Sequence, residues 1–314
     1  MRRSRTRPSP VLRAAVRAGA GACLLAAAAV PFVRRRRRIP VTATIVACVS
    51  GPLAIAVLRP RSKPRDVALF AGQMWAFTAI HELPYDDPER LRRRLLTRYP
   101  IAVDRRIGLG RLPNARLQSA LSERRFSGAL DRVLSWVHWL WFIEPYLALI
   151  VILVRHNERF PRAARQMAAA FDIGCAAYFL VPTAPPWWAS EQGVTSDPVR
   201  RIMVGVGEET WGPAWESMYG ALGGNPWAAM PSLHFGTALL AALLLTEAGP
   251  KEGALGWGYA GALGFALVYL GEHYVTDLLA GALLVAAVRR GEPLAEPVVE
   301  GVNRVIRRLE AIAA

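Results

Sequence analysis

Apolar and polar positions along this chain are segregated into blocks rather than interleaved. Apolar runs cover Val16–Val33 and Ile39–Leu58, and a weaker one covers Val67–Ile80. Further runs cover Val133–Val154, Met167–Val181, Pro231–Ala248, Ala254–Leu270 and Tyr274–Val288. Several approach the roughly 20 residues that a helix needs to cross a bilayer. Charged stretches separate them, as in a polytopic membrane protein. The predicted fold is all-α, a polytopic membrane helix bundle with about 6–8 spans by that length rule.

Five consecutive arginines, 34–38, separate the first two runs and predict a helical hairpin. The first run has the basic start and Ala-rich centre of a signal peptide. Arginines stand where a cleavage site would follow, so the run reads as a retained span. The polar stretch from His81 to Gly128 carries Leu91, Leu95 and Leu96 among Arg92, Arg93, Arg94 and Arg98. That pattern fits a basic amphipathic surface helix or a solvated charged loop. The expected organisation is a basic tail and hairpin over 1–65, a weak span or interfacial helix plus the basic amphipathic segment over 66–130, a catalytic membrane domain over 131–290, and a C-terminal tail over 291–314. No internal repeat is visible.

Composition sharpens the picture at two points. The net charge is +15 and is carried almost entirely by arginine. The arginines cluster beside apolar runs, which points to anionic lipid headgroups as partners and away from nucleic acid. Cys23, Cys48 and Cys175 all lie inside apolar runs and read as small buried hydrophobes. No metal-ligand spacing appears among Cys and His, so neither metal nor cofactor is expected.

Candidate chemistry lies in the histidines. His138 and His156 read as structural, and His81 as an interface residue. His234 follows Met230-Pro231-Ser232-Leu233 at the head of an apolar run. Proline suits a helix's first turn, which places His234 near a helix N-terminus, where backbone N–H groups and the helix dipole favour phosphate. His273 lies between two apolar runs, with Asp277 four residues on. A helical stretch there would put both on one face. The carboxylate could then hold one imidazole proton and leave the other nitrogen as nucleophile or base. The chain crosses once over Pro231–Ala248 and returns over Ala254–Leu270, so connectivity alone brings His234 and His273 to one membrane surface. Asp172 and Glu144 lie inside apolar runs and receive no role.

The segments Met230-Pro231-Ser232-Leu233-His234 and Tyr269-Leu270-Gly271-Glu272-His273-Tyr274-Val275-Thr276-Asp277 resemble the type-2 phosphatidic acid phosphatase superfamily, and within it the inositol phosphorylceramide synthase-like branch. The resemblance covers roughly Trp136 to Arg290, with Val181-Pro182-Thr183-Ala184-Pro185-Pro186 where the first motif would fall. It implies a six-helix core and a metal-independent mechanism through a phosphohistidine. His273 would be the nucleophile, Asp277 its orienting carboxylate, and His234 the acid that protonates the leaving oxygen. Membrane lipids would be the substrates.

The motif also departs from the family's. Ala266-Leu267 stand where a Ser-Arg pair is usual, Trp187-Trp188 follow the prolines where an Arg is often found, and Leu233 replaces a glycine. With those guanidinium clamps missing, Arg200 and Arg201 become the candidate phosphate partners, together with Ser232 of the second motif. Trp187, Trp188, Trp211, Trp215 and Trp227 suit either a lipid substrate or an interfacial aromatic belt. The resemblance also implies an integral protein of the plasma membrane with an extracytoplasmic site. The four arginines of 155–165, with Arg289 and Arg290, agree by lying on the opposite side, whereas the basic stretch Arg90–Arg125 opposes it. Three functions follow: a transferase of a headgroup phosphate ester, a lipid phosphate or polyprenyl diphosphate phosphatase, and a non-enzymatic scaffold that gathers anionic lipids.

Overall fold

The computed structural model describes residues 8–122, 127–217 and 225–314. The basic start of the chain at residues 1–7 lies outside them. Among the described residues the chain is helical, and Leu96, Thr183 and Ala228 make only isolated bridges. The chain divides into two compact units, one reaching Asp86 and including Gly291–Ala314, the other covering Asp87–Arg290.

In the first unit, α1 (Pro10–Arg37), α2 (Val41–Leu58) and α3 (Lys63–His81) follow one another. The Ser9 hydroxyl caps α1 by accepting from the Leu12 N–H, and Pro10 starts the helix where a missing N–H costs nothing. The arginine run is not itself the turn. Arg34–Arg37 form the last helical turn, where cations meet the negative end of the dipole, and only Arg38 takes the left-handed conformation that ends the helix. Arg34 is buried and binds Asp86 and Glu82. Trp75 Nε1 donates to the Ala27 carbonyl at 2.9 Å. Arg65 binds Glu310, and Arg17 donates to the Ala313 carbonyl, so the chain's last turns belong to this unit.

In the second unit, the basic stretch read as a surface helix or a solvated charged loop forms short helices α4 (Pro88–Arg93), α5 (Arg98–Ile107) and α6 (Pro113–Ser122). Ile101, Leu112 and Ala115 pack in one core with Ala189, Val199 and Tyr274. α7 (Ser127–Leu140) and α8 (Glu144–Arg155) come next, then α9 (Phe160–Leu180), α10 (Pro186–Glu191) and α11 (Ile202–Trp211). α12 (Leu233–Ala248), α13 (Pro250–Tyr269) and α14 (Val275–Ala313) complete the order, α14 continuing into the first unit's residues from Gly291.

By length and composition α1 and α2 can cross a membrane alone, and α7 with α8 would make a third span bent by 53°. The remaining runs belong to helices that fall short of that measure for physical reasons. α12 is apolar but has only 16 residues, α9 carries Arg162, Arg165 and Asp172, and α13 is diluted by glycines that bring it close to its neighbour. The chain is an all-α membrane helix bundle.

Two local features position the site. The run expected as one span over Val133–Val154 breaks at Trp141–Ile143, because Pro145 has no N–H to donate and its ring obstructs the preceding turn. The break turns Trp141 inward, where its Nε1 donates to Thr237 Oγ1 at 2.8 Å. The second feature is a close crossing of α12 and α14. A Cβ on Gly281 would stand 2.5 Å from the Ser232 carbonyl oxygen, and one on Gly236 would stand 3.2 Å from the Gly281 carbonyl oxygen. Small residues let these helices approach to backbone contact.

Candidate active site

The site forms where α12 begins and where the α13–α14 loop turns. Ser232 is the N-cap of α12, its hydroxyl accepting from the Phe235 N–H at 3.2 Å, while its own N–H donates to the Asp277 carbonyl at 3.0 Å. The peptide bond before Pro231 is cis. His234 therefore sits in the first helical turn, as its sequence context predicts.

His273 does not lie on a helix. It precedes α14, in a loop whose Glu272 and His273 N–H groups both donate to the Leu267 carbonyl at 3.1 Å. Asp277, in the first turn of α14, reaches back instead. Its Oδ2 accepts from the Tyr274 N–H at 2.9 Å and lies 3.3 Å from His273 Nδ1. One carboxylate thus caps the helix and holds the imidazole. His273 Nε2 in turn lies 3.2 Å from His234 Nδ1. His273 is 4% exposed and Asp277 fully buried.

An ionised carboxylate only accepts, so with Asp277 charged the tautomer that pairs with it carries hydrogen on His273 Nδ1. In that tautomer His273 Nε2 bears the lone pair, and a hydrogen on His234 Nδ1 would donate to it. Asp277, His273 and His234 thus form one chain of side-chain contacts.

The segment Val181–Pro186 is pinned beside the site. Leu96 pairs with Pro182 and Ala184, and Thr183 with Trp227 and Ala229. Tyr99 shares a 2.9 Å hydrogen bond with Thr183 Oγ1. Burial, together with the nearby Asp277 charge, pushes the Tyr99 phenol up to about 12, although its bond to Thr183 pulls it back.

The three substrate-binding candidates fall in different places. Ser232 is a buried cap. Arg200 is exposed and holds the loop through its backbone, its N–H and carbonyl both bonded to the Gln118 side chain. Arg201 binds Glu272 through both guanidinium arms, at 2.9 and 3.2 Å, and lies over Trp187 at 4.2 Å. Burial disfavours the Glu272 charge, yet the Arg201 guanidinium holds the carboxyl below the usual range. Gly271, at φ 83°, makes room for the Arg200 carbonyl, 2.6 Å from where a Cβ would stand. Of the five tryptophans, Trp187, Trp215 and Trp227 are packed inside, while Trp188 is half-buried and Trp211 exposed. Among the described residues no group of three or more His, Cys, Asp or Glu is arranged to hold a metal ion.

Three residues outside the sequence reading, and His138, which it takes as structural, reach this loop or its neighbours. Asn114 donates to the Val268 and His273 carbonyls at 2.7 and 2.9 Å. Gln118 donates to the Tyr269 carbonyl at 2.8 Å. Asp104 accepts from the Val275 and Thr276 N–H groups at 2.8 and 2.9 Å and from the Thr276 hydroxyl. Burial pushes the Asp104 carboxyl up, and these donors pull it back. His138 packs against His234, ring centroids 5.0 Å apart and the planes tilted by 37°. The one signal for Asp104 was its isolation, since it is the only acid between Glu89 and Glu123 in a run of arginines.

Asp104 supplies from α5 a cap that α14 cannot supply itself. Asp104→Ala should cost about 1–2 kcal/mol of stability, the scale of a lost N-cap. The expected result is a lower midpoint in detergent thermal unfolding, with slower turnover because the His273 loop loosens. An unchanged midpoint would mean the cap contributes nothing.

The sequence profile of the PAP2 superfamily matches residues 101–289. The chain belongs to the PAP2 superfamily. The match takes in the relay, α5, α6 and the helix pair that carries His138. The chain is also similar to the inositol phosphorylceramide synthase of Candida albicans (strain SC5314 / ATCC MYA-2876), at 29% identity over 50% of this chain and 35% of that protein. It is similar to the inositol phosphorylceramide synthase catalytic subunit aur1 of Schizosaccharomyces pombe (strain 972 / ATCC 24843), at 28% identity over 55% of this chain and 42% of that protein. The chain spans less than half the length of these curated relatives. No solved structure matches it significantly.

Proposed function

We propose that this PAP2 member is a membrane lipid phosphotransferase that moves a headgroup phosphate ester through a phosphohistidine, in the manner of an inositol phosphorylceramide synthase. The observation that carries the reading is the relay Asp277–His273–His234, with His273 Nε2 3.2 Å from His234 Nδ1.

In the first step Nε2 attacks phosphorus and the phosphorus–oxygen bond to the leaving alcohol breaks. That oxygen takes a proton from His234, which enters the step as an imidazolium and leaves it as a neutral ring. The Asp277 carboxylate balances the charge that develops on the His273 ring. In the second step an acceptor hydroxyl gives its proton to His234 while its oxygen attacks phosphorus, and the phosphorus–nitrogen bond breaks. Dividing one displacement into two is the gain of covalent catalysis. The names of the two relatives favour a phosphoinositol-type donor and a ceramide-like acceptor. No step calls for a metal or cofactor. Water as acceptor would make the same residues a phosphatase.

The proposed protein is integral to the plasma membrane with an extracytoplasmic site, and the charge distribution fits that sidedness. Arg162 and Arg289 bind Glu247, and Arg155 binds Glu252, at the end of α12 and the start of α13, opposite the histidines. The basic stretch on the histidine side is partly consumed in the fold. Arg105 binds Asp197, Arg92 binds Gln192 and Arg94 binds the Phe179 carbonyl. Its charge therefore weighs less against this orientation than a free loop's would. Exposed Arg36, Arg37 and Arg38 suit anionic headgroups.

The test is acceptor dependence. Purified protein in lipid nanodiscs would receive labelled phosphatidylinositol with and without ceramide or diacylglycerol. A new labelled phospholipid that forms only with acceptor is expected. Water-soluble phosphate products alone would replace the transferase with a phosphatase, and no product from any donor would leave the scaffold reading.

A further inference from the structure

His138 is the buried group that the relay does not use. It lies on α7, one turn before the break at Trp141, and is 5% exposed. Neither ring nitrogen has a hydrogen-bond partner among the described residues. The ring is nonetheless in polar company. It lies against His234, the two rings tilted by 37°, and Glu272, His273 and Arg201 lie within electrostatic reach. Trp141 closes the other approach to His234, its ring 4.1 Å away. Packing alone asks for an apolar ring here, because an imidazole with both nitrogens unpaired is expensive to bury.

Phosphoryl transfer builds negative charge on the non-bridging oxygens, and a site needs donors aimed at them. The family's usual guanidinium clamps are absent from this sequence, Arg201 is engaged with Glu272, and Arg200 is exposed. A phosphorus held against His273 Nε2 would lie beside His234, and its oxygens would come within reach of the His138 ring packed against it.

We propose that His138 contacts substrate directly, its ring N–H donating to a non-bridging oxygen of the phosphoryl group that His273 attacks. The proposal rests on the phosphohistidine reading. A neutral imidazole carries one donor and one acceptor, so the second nitrogen would accept from a headgroup hydroxyl or water.

The test uses full-length His138→Phe, which keeps a ring against His234, with His138→Leu as a second apolar variant should phenylalanine not fold. His138→Asn and His138→Gln restore an amide N–H near one or other ring nitrogen. Two quantities are read, the turnover rate and the binding of orthovanadate, a phosphate-like oxyanion, by calorimetry. The apolar variants should lose about 100-fold in kcat, the scale of one lost transition-state donor, and should weaken vanadate at least about tenfold. One amide variant should recover most of both. If the apolar variants match wild type while His273→Ala loses both readouts, His138 is packing and the relay stands. If His273→Ala binds vanadate as wild type does, the underlying reading falls and this proposal with it.

Discussion

His273→Gln should remove turnover, by about 10⁴-fold or more, because it takes away the atom that forms the covalent bond in the proposed mechanism. Glutamine keeps comparable length and polarity, so the buried position between Asp277 and His234 is not left as a void. The comparison with His234→Gln is informative. In the proposed mechanism His234 moves a proton, and loss of a general acid typically costs about 10²–10⁴-fold. A leaving group that departs without protonation would narrow that loss, whereas no leaving group rescues a missing nucleophile. The measurement is single-turnover kinetics of the three proteins, with thermal unfolding to show that each is folded. Equal losses in both variants, independent of the leaving group, would mean the two rings act as one structural unit and the roles are not divided.

Asp277→Asn should cost about 10²–10³-fold, the scale of one lost electrostatic interaction in the transition state. The local bonds explain why the loss is not larger. Asp277 Oδ2 serves both the Tyr274 N–H and His273 Nδ1, while Oδ1 has no partner among the described residues. An asparagine must therefore place its carbonyl oxygen at the Oδ2 position, because an amide nitrogen there would face the Tyr274 N–H donor. The oxygen still accepts from Nδ1–H, so the reactive tautomer survives. What is lost is the negative charge that balances the phosphohistidine, together with the extra strength of a charge-assisted bond. Asp277→Ala removes the cap as well and should lose more than Asp277→Asn. Turnover of the two variants side by side checks this order. Asparagine within threefold of wild type would show that the charge is not used.

How much of this was legible in the sequence depended on the kind of signal. The juxtaposition of His234 and His273 follows from counting crossings between them, which needs only the two apolar runs over Pro231–Ala248 and Ala254–Leu270. The close spacing of His273 and Asp277 was equally visible, but helical periodicity assigned it the wrong geometry. His273 lies in a loop, and Asp277 reaches it from a capping position. The break in the α7–α8 pair was written in Pro145, inside a run that hydropathy alone reads as continuous. Asp104, Asn114 and Gln118 were out of reach, because each acts on backbone more than 150 residues away along the chain. Nothing in a local window ties a polar residue of a basic stretch to a distant helix end. His138 was set aside for a related reason. A lone histidine among tryptophans carries no periodic signal, and only the fold places it on His234.

The central claim is that His273 becomes covalently phosphorylated. The direct measurement is rapid acid-free quenching of the protein with a donor labelled at phosphorus, followed by peptide mapping of the acid-labile, alkali-stable label. Label on His273 during turnover, absent from His273→Gln and chased by added acceptor, is the predicted result. Label on any other residue, or turnover by His273→Gln at the wild-type rate, would contradict it.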